Sequence, residues 1–99
     1  MGLFAVVNEQ GPKWDAARAM REQDGWAEHA AFMDRLVDDR LVVAGGPLRG
    51  GAKHRALLIL RADDEAALTA RLATDPWMRS GVLRGGELLR WEVLLGELR

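Results

Sequence analysis

Apolar residues recur along one stretch of the chain at the three-and-four spacing of a helix face. From Trp26 the series continues through Ala30, Met33 and Leu36, and it predicts an amphipathic helix that ends near residue 39. His29 falls inside this apolar stripe. A histidine directed toward a core must be held by a polar partner or must line a cavity. It is also the side chain that changes charge between about pH 5 and 8 without help. His29 is therefore the first candidate for chemistry.

Shorter apolar runs elsewhere have the composition of strands. Strands are predicted over residues 3–7, 41–44, 55–61 and 87–95, and a second helix over residues 63–74. This order predicts an α+β, ferredoxin-like βαββαβ fold, with both helices on one face of a four-stranded antiparallel sheet.

Punctuating residues mark where these elements begin and end. Asp24 and Asp63 are expected to cap the two helices. Asp75 and Pro76 are expected to end the second helix, because the residue before proline is pushed out of helical geometry. Residues 14–23 contain good helix formers with a weak apolar stripe, so a short helix on the surface is expected there.

The predicted strands are apolar on both faces. In the third strand, Leu57 and Ile59 point to one side while Leu58 and Leu60 point to the other. Two helices cover only one face of the sheet, and each large apolar side chain left in water forfeits roughly 1.5–3 kcal/mol. A homodimer packed sheet on sheet is therefore expected.

Composition restricts the functional class. Fourteen basic and fifteen acidic residues are interspersed, so the chain lacks the basic stripe that nucleic-acid binding requires. The absence of cysteine excludes disulfides and zinc–thiolate sites and fits a cytoplasmic protein. The short apolar run near the start predicts neither a signal peptide nor a membrane span. A single domain is expected over residues 1–99.

Four motifs together resemble the YCII-related (YciI-like) family. They are the helix sequence around His29, the Gly45-Gly46-Pro47 strand end, the Asp75-Pro76-Trp77 turn and the closing strand with Trp91. The resemblance covers residues 4–95 and implies a dimeric α+β barrel whose cleft holds a histidine–aspartate pair, here His29 and Asp75. Most members of the family have no assigned reaction. One branch is similar to a dehydrochlorinase of chlorinated hydroxyquinones, and the fold is shared with muconolactone isomerases. Residues 9–25 are an insertion that the shortest members lack, expected to border the cleft like a lid.

The implied pair has a clear chemical interpretation. A carboxylate bonded to one imidazole nitrogen fixes the tautomer and leaves the other nitrogen free for proton transfer. Each residue also has a structural interpretation. His29 is alternatively a core histidine bonded to a backbone carbonyl. Asp75 is alternatively the N-cap of a turn with proline at its first helical position. The two roles of Asp75 are compatible, because a carboxylate has two oxygens.

Several further residues are candidates for shaping the pocket. Aromatic walls are expected from Trp14, Trp26 and Trp77, a closely approaching backbone from Gly45, Gly46 and Pro47, and anion-binding groups from Arg18 and Arg21. The alternative for the glycines is a bulge or tight bend, and for the arginines a solvated surface. His54, at the end of a hairpin, is expected to be exposed. No spacing supports a metal site, and no cofactor is expected.

The function predicted from these features is cofactor-free acid/base catalysis on a small molecule. The reaction is an elimination, an isomerisation or a hydrolysis, with His29 moving the proton and Asp75 orienting it. The alternatives are a module that binds a small molecule or partner in the same cleft without turnover, and a structural dimer in which His29 is buried and inert.

Overall fold

The computed structural model describes residues 2–98, which form five strands and three α-helices. The strands are β1 (Gly2–Gln10), β2 (Val42–Leu48), β3 (Arg55–Ala62), β4 (Leu83–Arg84) and β5 (Leu89–Arg90). The helices are α1 (Trp26–Asp38), α2 (Glu65–Leu72) and α3 (Pro76–Ser80), and a single 3₁₀ turn spans Met20–Glu22. The antiparallel sheet has the order β2-β3-β1-β4, with β5 also pairing with β1. This confirms the predicted ferredoxin-like α+β fold.

The main core lies between the sheet and the helices. Phe4 pairs with Leu60 and Val6 pairs with Leu58 across β1 and β3, and these four side chains are buried together with Leu68 of α2. Phe4 and Leu60 are 1% and 0% exposed, so their burial contributes roughly 1.5–3 kcal/mol each to stability. Helix α1 buries Phe32 and Leu36 on its apolar stripe. The longest helix has 13 residues, and no helix within residues 2–98 has the length and apolarity to cross a membrane.

The opposite side of the sheet retains exposed apolar side chains. Val7 of β1 is 42% exposed and Leu89 of β5 is 54% exposed. Trp91, whose N–H donates to the Leu3 carbonyl, is 39% exposed. Beyond it, the chain leaves further leucines in solvent. This is the face that the two-sided apolar pattern predicts to be uncovered in a single chain.

The prediction of one continuous last strand over residues 87–95 is wrong, because only Leu89–Arg90 of this range form a strand. The chain pairs with β1 at β4, leaves the ladder, and pairs again only at β5. The interruption lies at Gly86, where an added Cβ would stand 2.0 Å from the Val7 carbonyl oxygen. The Gly86 N–H donates instead to the side chain of Asn8, at 3.2 Å, so the backbone ladder is broken there.

Both predicted helix caps are displaced by one residue. Gly25, not Asp24, precedes α1, and its φ of 78° is the left-handed conformation that glycine adopts without strain. Asp64, not Asp63, caps α2 by accepting a hydrogen bond from the Ala67 N–H at 3.0 Å. The second helix ends at Leu72, two residues before its predicted end.

The short helix predicted over residues 14–23 is replaced by turns and the single 3₁₀ turn. Gln23, only 3% exposed, organises this segment through main-chain groups. Its Oε1 accepts from the Asp15 N–H at 2.8 Å, and its Nε2 donates to the Asp15 and Arg18 carbonyls at 2.7 and 2.9 Å. These bonds satisfy the backbone groups that a helix would have paired. Because β1 extends to Gln10, the irregular part of the insertion covers residues 11–25.

Candidate active site

Two side chains 46 positions apart meet between α1 and the start of α3. His29 lies on the first turn of α1, and its Nδ1–H donates to Asp75 Oδ1 at 2.8 Å. The two side chains are 12% and 5% exposed. The structure therefore brings His29 and Asp75 into direct contact, and the hydrogen bond between them is largely shielded from bulk water.

Asp75 also caps α3. Its Oδ1 accepts from the Trp77 N–H at 2.9 Å, with Pro76 at the first helical position, where its missing N–H is not needed. Helix cap and histidine partner thus coexist in one carboxylate. They use the same oxygen, however, and not one oxygen each.

Trp77 fixes the histidine from the side. Its ring stacks on the His29 imidazole with centroids 4.0 Å apart and an interplanar angle of 8°. The ring is itself held by a hydrogen bond from Nε1 to the Asp24 carbonyl at 2.7 Å, and Trp77 is only 1% exposed. The Trp26 ring packs against both, with its centroid 5.9 Å from that of His29 and 5.6 Å from that of Trp77. The imidazole plane is therefore restrained by a carboxylate at its edge and an indole on its face.

His29 lines a cavity of about 470 Å³, hereafter the His29 cavity, between α1, β2 and β3. Its walls are predominantly apolar and include Trp26, Met33, Leu58 and Trp77. This volume is within the range typical of small-molecule sites.

The Gly45-Gly46-Pro47 segment forms part of the rim as an extended section of β2. A Cβ at Gly45 would stand 2.6 Å from Leu58 Cδ2, whereas a Cβ at Gly46 would meet nothing within 4 Å. The close approach of Leu58 therefore explains the glycine at position 45, whereas no contact explains the glycine at position 46. The contact at Gly45 is made with the protein's own core.

His54 was expected to be exposed, and this was wrong. It is half-buried, lines the His29 cavity and stacks on Trp14 with ring centroids 4.3 Å apart. The pKa of His54 lies below its ordinary value of 6.5, because burial disfavours the imidazolium, and Arg49 and His29 add electrostatic repulsion. The error arose because the ring that covers His54 belongs to Trp14, which is distant in sequence.

The arginines of the insertion lie outside the cavity lining. Arg18 donates to exposed Asp24 at 3.1 Å, and the Arg21 guanidinium lies 5.9 Å from the Trp26 ring centroid. Trp14 contributes indirectly, by packing against His54 and, edge-on, against Trp77 at 6.1 Å. Within residues 2–98, no group of three histidine, cysteine or acidic side chains is placed to hold a metal ion.

A second cavity, hereafter the Asp75 cavity, adjoins the first. It measures about 400 Å³ and is lined by Asp75, Gly86 and Met78 among others. Asn8, Met33 and Leu58 line both cavities. Sequence reasoning missed Asn8, although its signal was present: alternation from Phe4 and Val6 places this polar residue on the buried face of β1.

A search of solved structures finds the same fold in an enzyme. The chain is similar to the 5-chloro-2-hydroxyhydroquinone dehydrochlorinase of Burkholderia phenoliruptrix, solved in complex with 2,5-dihydroxybenzoquinone. The TM-score is 0.69 at 22% sequence identity, over 91% of this chain and 93% of the other. No family model and no curated protein matches the chain. The likeness establishes the ferredoxin-type α+β fold.

Proposed function

We propose that this protein is an acid/base catalyst that acts on a small molecule without a cofactor. The observation that carries the proposal is the 2.8 Å bond from His29 Nδ1 to Asp75 Oδ1, made by a histidine that lines a cavity of about 470 Å³. The bond occupies one ring nitrogen and leaves Nε2 for proton transfer. Catalysis of this kind typically contributes 10²–10⁴-fold to a rate.

His29 is the catalytic residue in this proposal, and Asp75 positions it. The neutral imidazole accepts a proton from the bound molecule at Nε2, and the carboxylate stabilises the imidazolium that forms. The proton is then returned to another atom of the same molecule or to its leaving group. Elimination, isomerisation and hydrolysis all fit this cycle.

Two arguments favour small-molecule chemistry of this type. The structural neighbour is a dehydrochlorinase by name, so a related fold supports an elimination. The motifs around His29, Gly45-Gly46-Pro47 and Asp75 resemble the YCII-related family, and we propose membership of it. A cytoplasmic location, consistent with the lack of cysteine, belongs to the same proposal.

A homodimer is also part of the proposal. Val7, Leu89 and Trp91 leave large apolar areas exposed on the sheet face opposite the helices. Burial of each such side chain stabilises a complex by roughly 1.5–3 kcal/mol at most. A second copy of the chain, which presents the same surface, matches it in a two-fold arrangement.

The alternative function is a non-catalytic module that binds a small molecule in the same cavity. The apolar walls and the restrained imidazole favour it, because they also describe a rigid binding site. Only a measurement of turnover separates the two functions.

The test uses two probes and three variants. Chloride release is measured from 5-chloro-2-hydroxyhydroquinone, and deuterium exchange next to the carbonyl of 2-tetralone is followed by NMR in D₂O. We expect the wild type to accelerate at least one reaction, His29→Gln to lose about 10²–10⁴-fold, and Asp75→Asn to lose less. Glu28→Gln, at an exposed position on the same helical turn, is the control and should retain full activity.

Three results would contradict the proposal. Equal rates in the wild type and His29→Gln would remove the histidine from the reaction. Binding of both probes in the cavity without acceleration of either reaction would instead favour the non-catalytic module. Loss of activity in Glu28→Gln would show that the assay responds to charge near α1 and not to the histidine.

A further inference from the structure

Asn8 is a buried polar residue that the proposed proton transfer between His29 and its substrate does not use. It is the only asparagine in the chain, lies on the inner face of β1, and is 7% exposed. Its Oδ1 accepts a hydrogen bond from the Gly86 N–H at 3.2 Å. Because that partner is a donor, the oxygen must be the atom directed at Gly86, and the position of the amide nitrogen follows.

The Asn8 Nδ2 group has two N–H donors and no protein acceptor among residues 2–98. Every side-chain nitrogen or oxygen that is sealed away in the described part of the chain does have a partner. The Asn8 amide is therefore reached from the cavities it lines, which are the His29 cavity and the Asp75 cavity. A donor fixed in this way, with nothing to donate to, requires an acceptor from outside the protein.

We propose that Asn8 is a second catalytic residue, which donates a hydrogen bond to a carbonyl oxygen of the substrate. The inference rests on the proposed function and names its substrate class: a small, largely apolar carbonyl compound with a C–H bond next to the carbonyl. Such a molecule supplies an oxygen for Asn8, a proton for His29 and apolar surface for the surrounding walls, which include Met33 and Leu58.

The step is a proton transfer with charge moved onto oxygen. His29 Nε2 removes the proton from the carbon next to the carbonyl, and the C–H electron pair becomes a C=C bond. The π pair of the C=O bond then resides on oxygen, giving an enolate that the Asn8 N–H stabilises. When the electrons return, the carbon takes the proton back from His29, or the neighbouring carbon loses its leaving group. The leaving group departs with its electron pair and takes the proton from His29, which restores the neutral imidazole. A fixed donor aimed at developing negative charge typically contributes about 10²–10³-fold.

The sequence makes a direct test available by NMR. The chain has three side-chain amides, Asn8, Gln10 and Gln23, so their ¹⁵N–¹H signals are few and are assigned by single substitutions. Gln23 is already bonded to main-chain carbonyls and serves as an internal control. The probes are 2-tetralone and tetralin, which have the same bicyclic carbon skeleton and differ by the carbonyl. We expect 2-tetralone to shift the Asn8 amide protons downfield, and tetralin to leave them unchanged.

Variants then separate recognition from catalysis. Asn8→Asp keeps an oxygen for the Gly86 N–H but replaces both donors with an oxygen that repels the carbonyl. It should weaken binding of 2-tetralone by about tenfold or more, leave tetralin binding unchanged, and slow deuterium exchange about 10²-fold. Glu9→Gln, the next residue of β1, lines neither cavity and should behave as wild type.

The outcomes distinguish this inference from the proposed function. An Asn8 amide that does not respond to 2-tetralone in the wild-type protein, or that responds equally to tetralin, overturns the inference without any variant being needed. Exchange that is lost in His29→Gln but unaffected in Asn8→Asp overturns it while the proposed function survives. A carbonyl-specific Asn8 shift in a protein that catalyses no exchange supports carbonyl recognition by Asn8 and contradicts the catalytic role.

Discussion

Replacement of Asp75 by alanine should destabilise the protein more than the loss of a helix cap alone. Asp75 Oδ1 accepts two hydrogen bonds, from the Trp77 N–H at 2.9 Å and from His29 Nδ1 at 2.8 Å, and the residue is 4% exposed. Asp75→Ala removes both and leaves two donors without partners inside the protein. The chain offers a matched control in Asp64, which caps α2 through one bond of 3.0 Å to the Ala67 N–H.

The magnitude follows from adding the two bonds. Loss of an N-cap costs about 1 kcal/mol, and a hydrogen bond to a charged group contributes about 1.5–3 kcal/mol. Asp75→Ala should therefore lower the free energy of unfolding by roughly 2.5–4 kcal/mol, and Asp64→Ala by about 1 kcal/mol. Asp75→Asn retains an acceptor oxygen and the side-chain volume, so it should fall between these values.

The measurement is urea denaturation followed by tryptophan fluorescence, with a double-mutant cycle against His29→Ala. A coupling energy of about 1 kcal/mol or more is expected between His29 and Asp75, because the two side chains are in direct contact. If Asp75→Ala costs no more than Asp64→Ala, or if the coupling energy is zero, the hydrogen bond contributes nothing and the reasoning about the site is refuted.

Three further predictions concern other parts of the structure. Because burial lowers the pKa of His54 below 6.5 in the folded protein, His54 takes up its proton at a higher pH in the unfolded chain than in the folded one. The free energy of unfolding should therefore be highest above about pH 6.5 and should decrease below it. In urea titrations near pH 7.5 and pH 5, this decrease should be smaller in His54→Gln than in the wild type. An equal decrease in both proteins would contradict the prediction. Light scattering should report about twice 11.0 kDa for the wild type and a monomer for Leu89→Glu. The control is Val37→Glu, on α1 and equally exposed at 54%, which should leave the dimer intact. A monomeric wild type would refute the dimer. Gly45→Ala should lower the free energy of unfolding by about 1–3 kcal/mol, because the added methyl group crowds Leu58. Gly46→Ala should lower it by less than about 0.5 kcal/mol. Equal losses in the two variants would show that the core adjusts freely.

Local patterns in the sequence predicted most of the fold, because apolar spacing and capping residues act within a few positions of the chain. The spacing around Trp26 placed α1 to within one residue, and the Asp75-Pro76 pair indicated a capped turn where the structure has α3. The last strand failed for a tertiary reason. Its pairing depends on how closely the Gly86 backbone approaches Val7, which no pattern within the strand records.

The site was only partly accessible from sequence. The position of His29 in an apolar stripe singled it out, but its partner came from a family resemblance, because residues 46 apart share no local signal. His54 was misjudged for the same reason, since the ring that covers it belongs to Trp14. Asn8 did carry a signal, a polar residue at an inward position of a strand, and that signal was not used.

The anchoring of the insertion by Gln23 has a consequence for how this protein can change. All three hydrogen bonds of its side chain go to main-chain atoms of Asp15 and Arg18, so these bonds do not depend on which side chains stand at those two positions. Exposed positions such as Ala16, Ala17 and Ala19 are therefore open to substitution while the loop keeps its course. The chemistry displayed beside the cavity can diversify under selection or engineering without a new fold. That freedom ends at Gln23, at Gly25 with its left-handed backbone, and at Trp14, whose ring packs on His54.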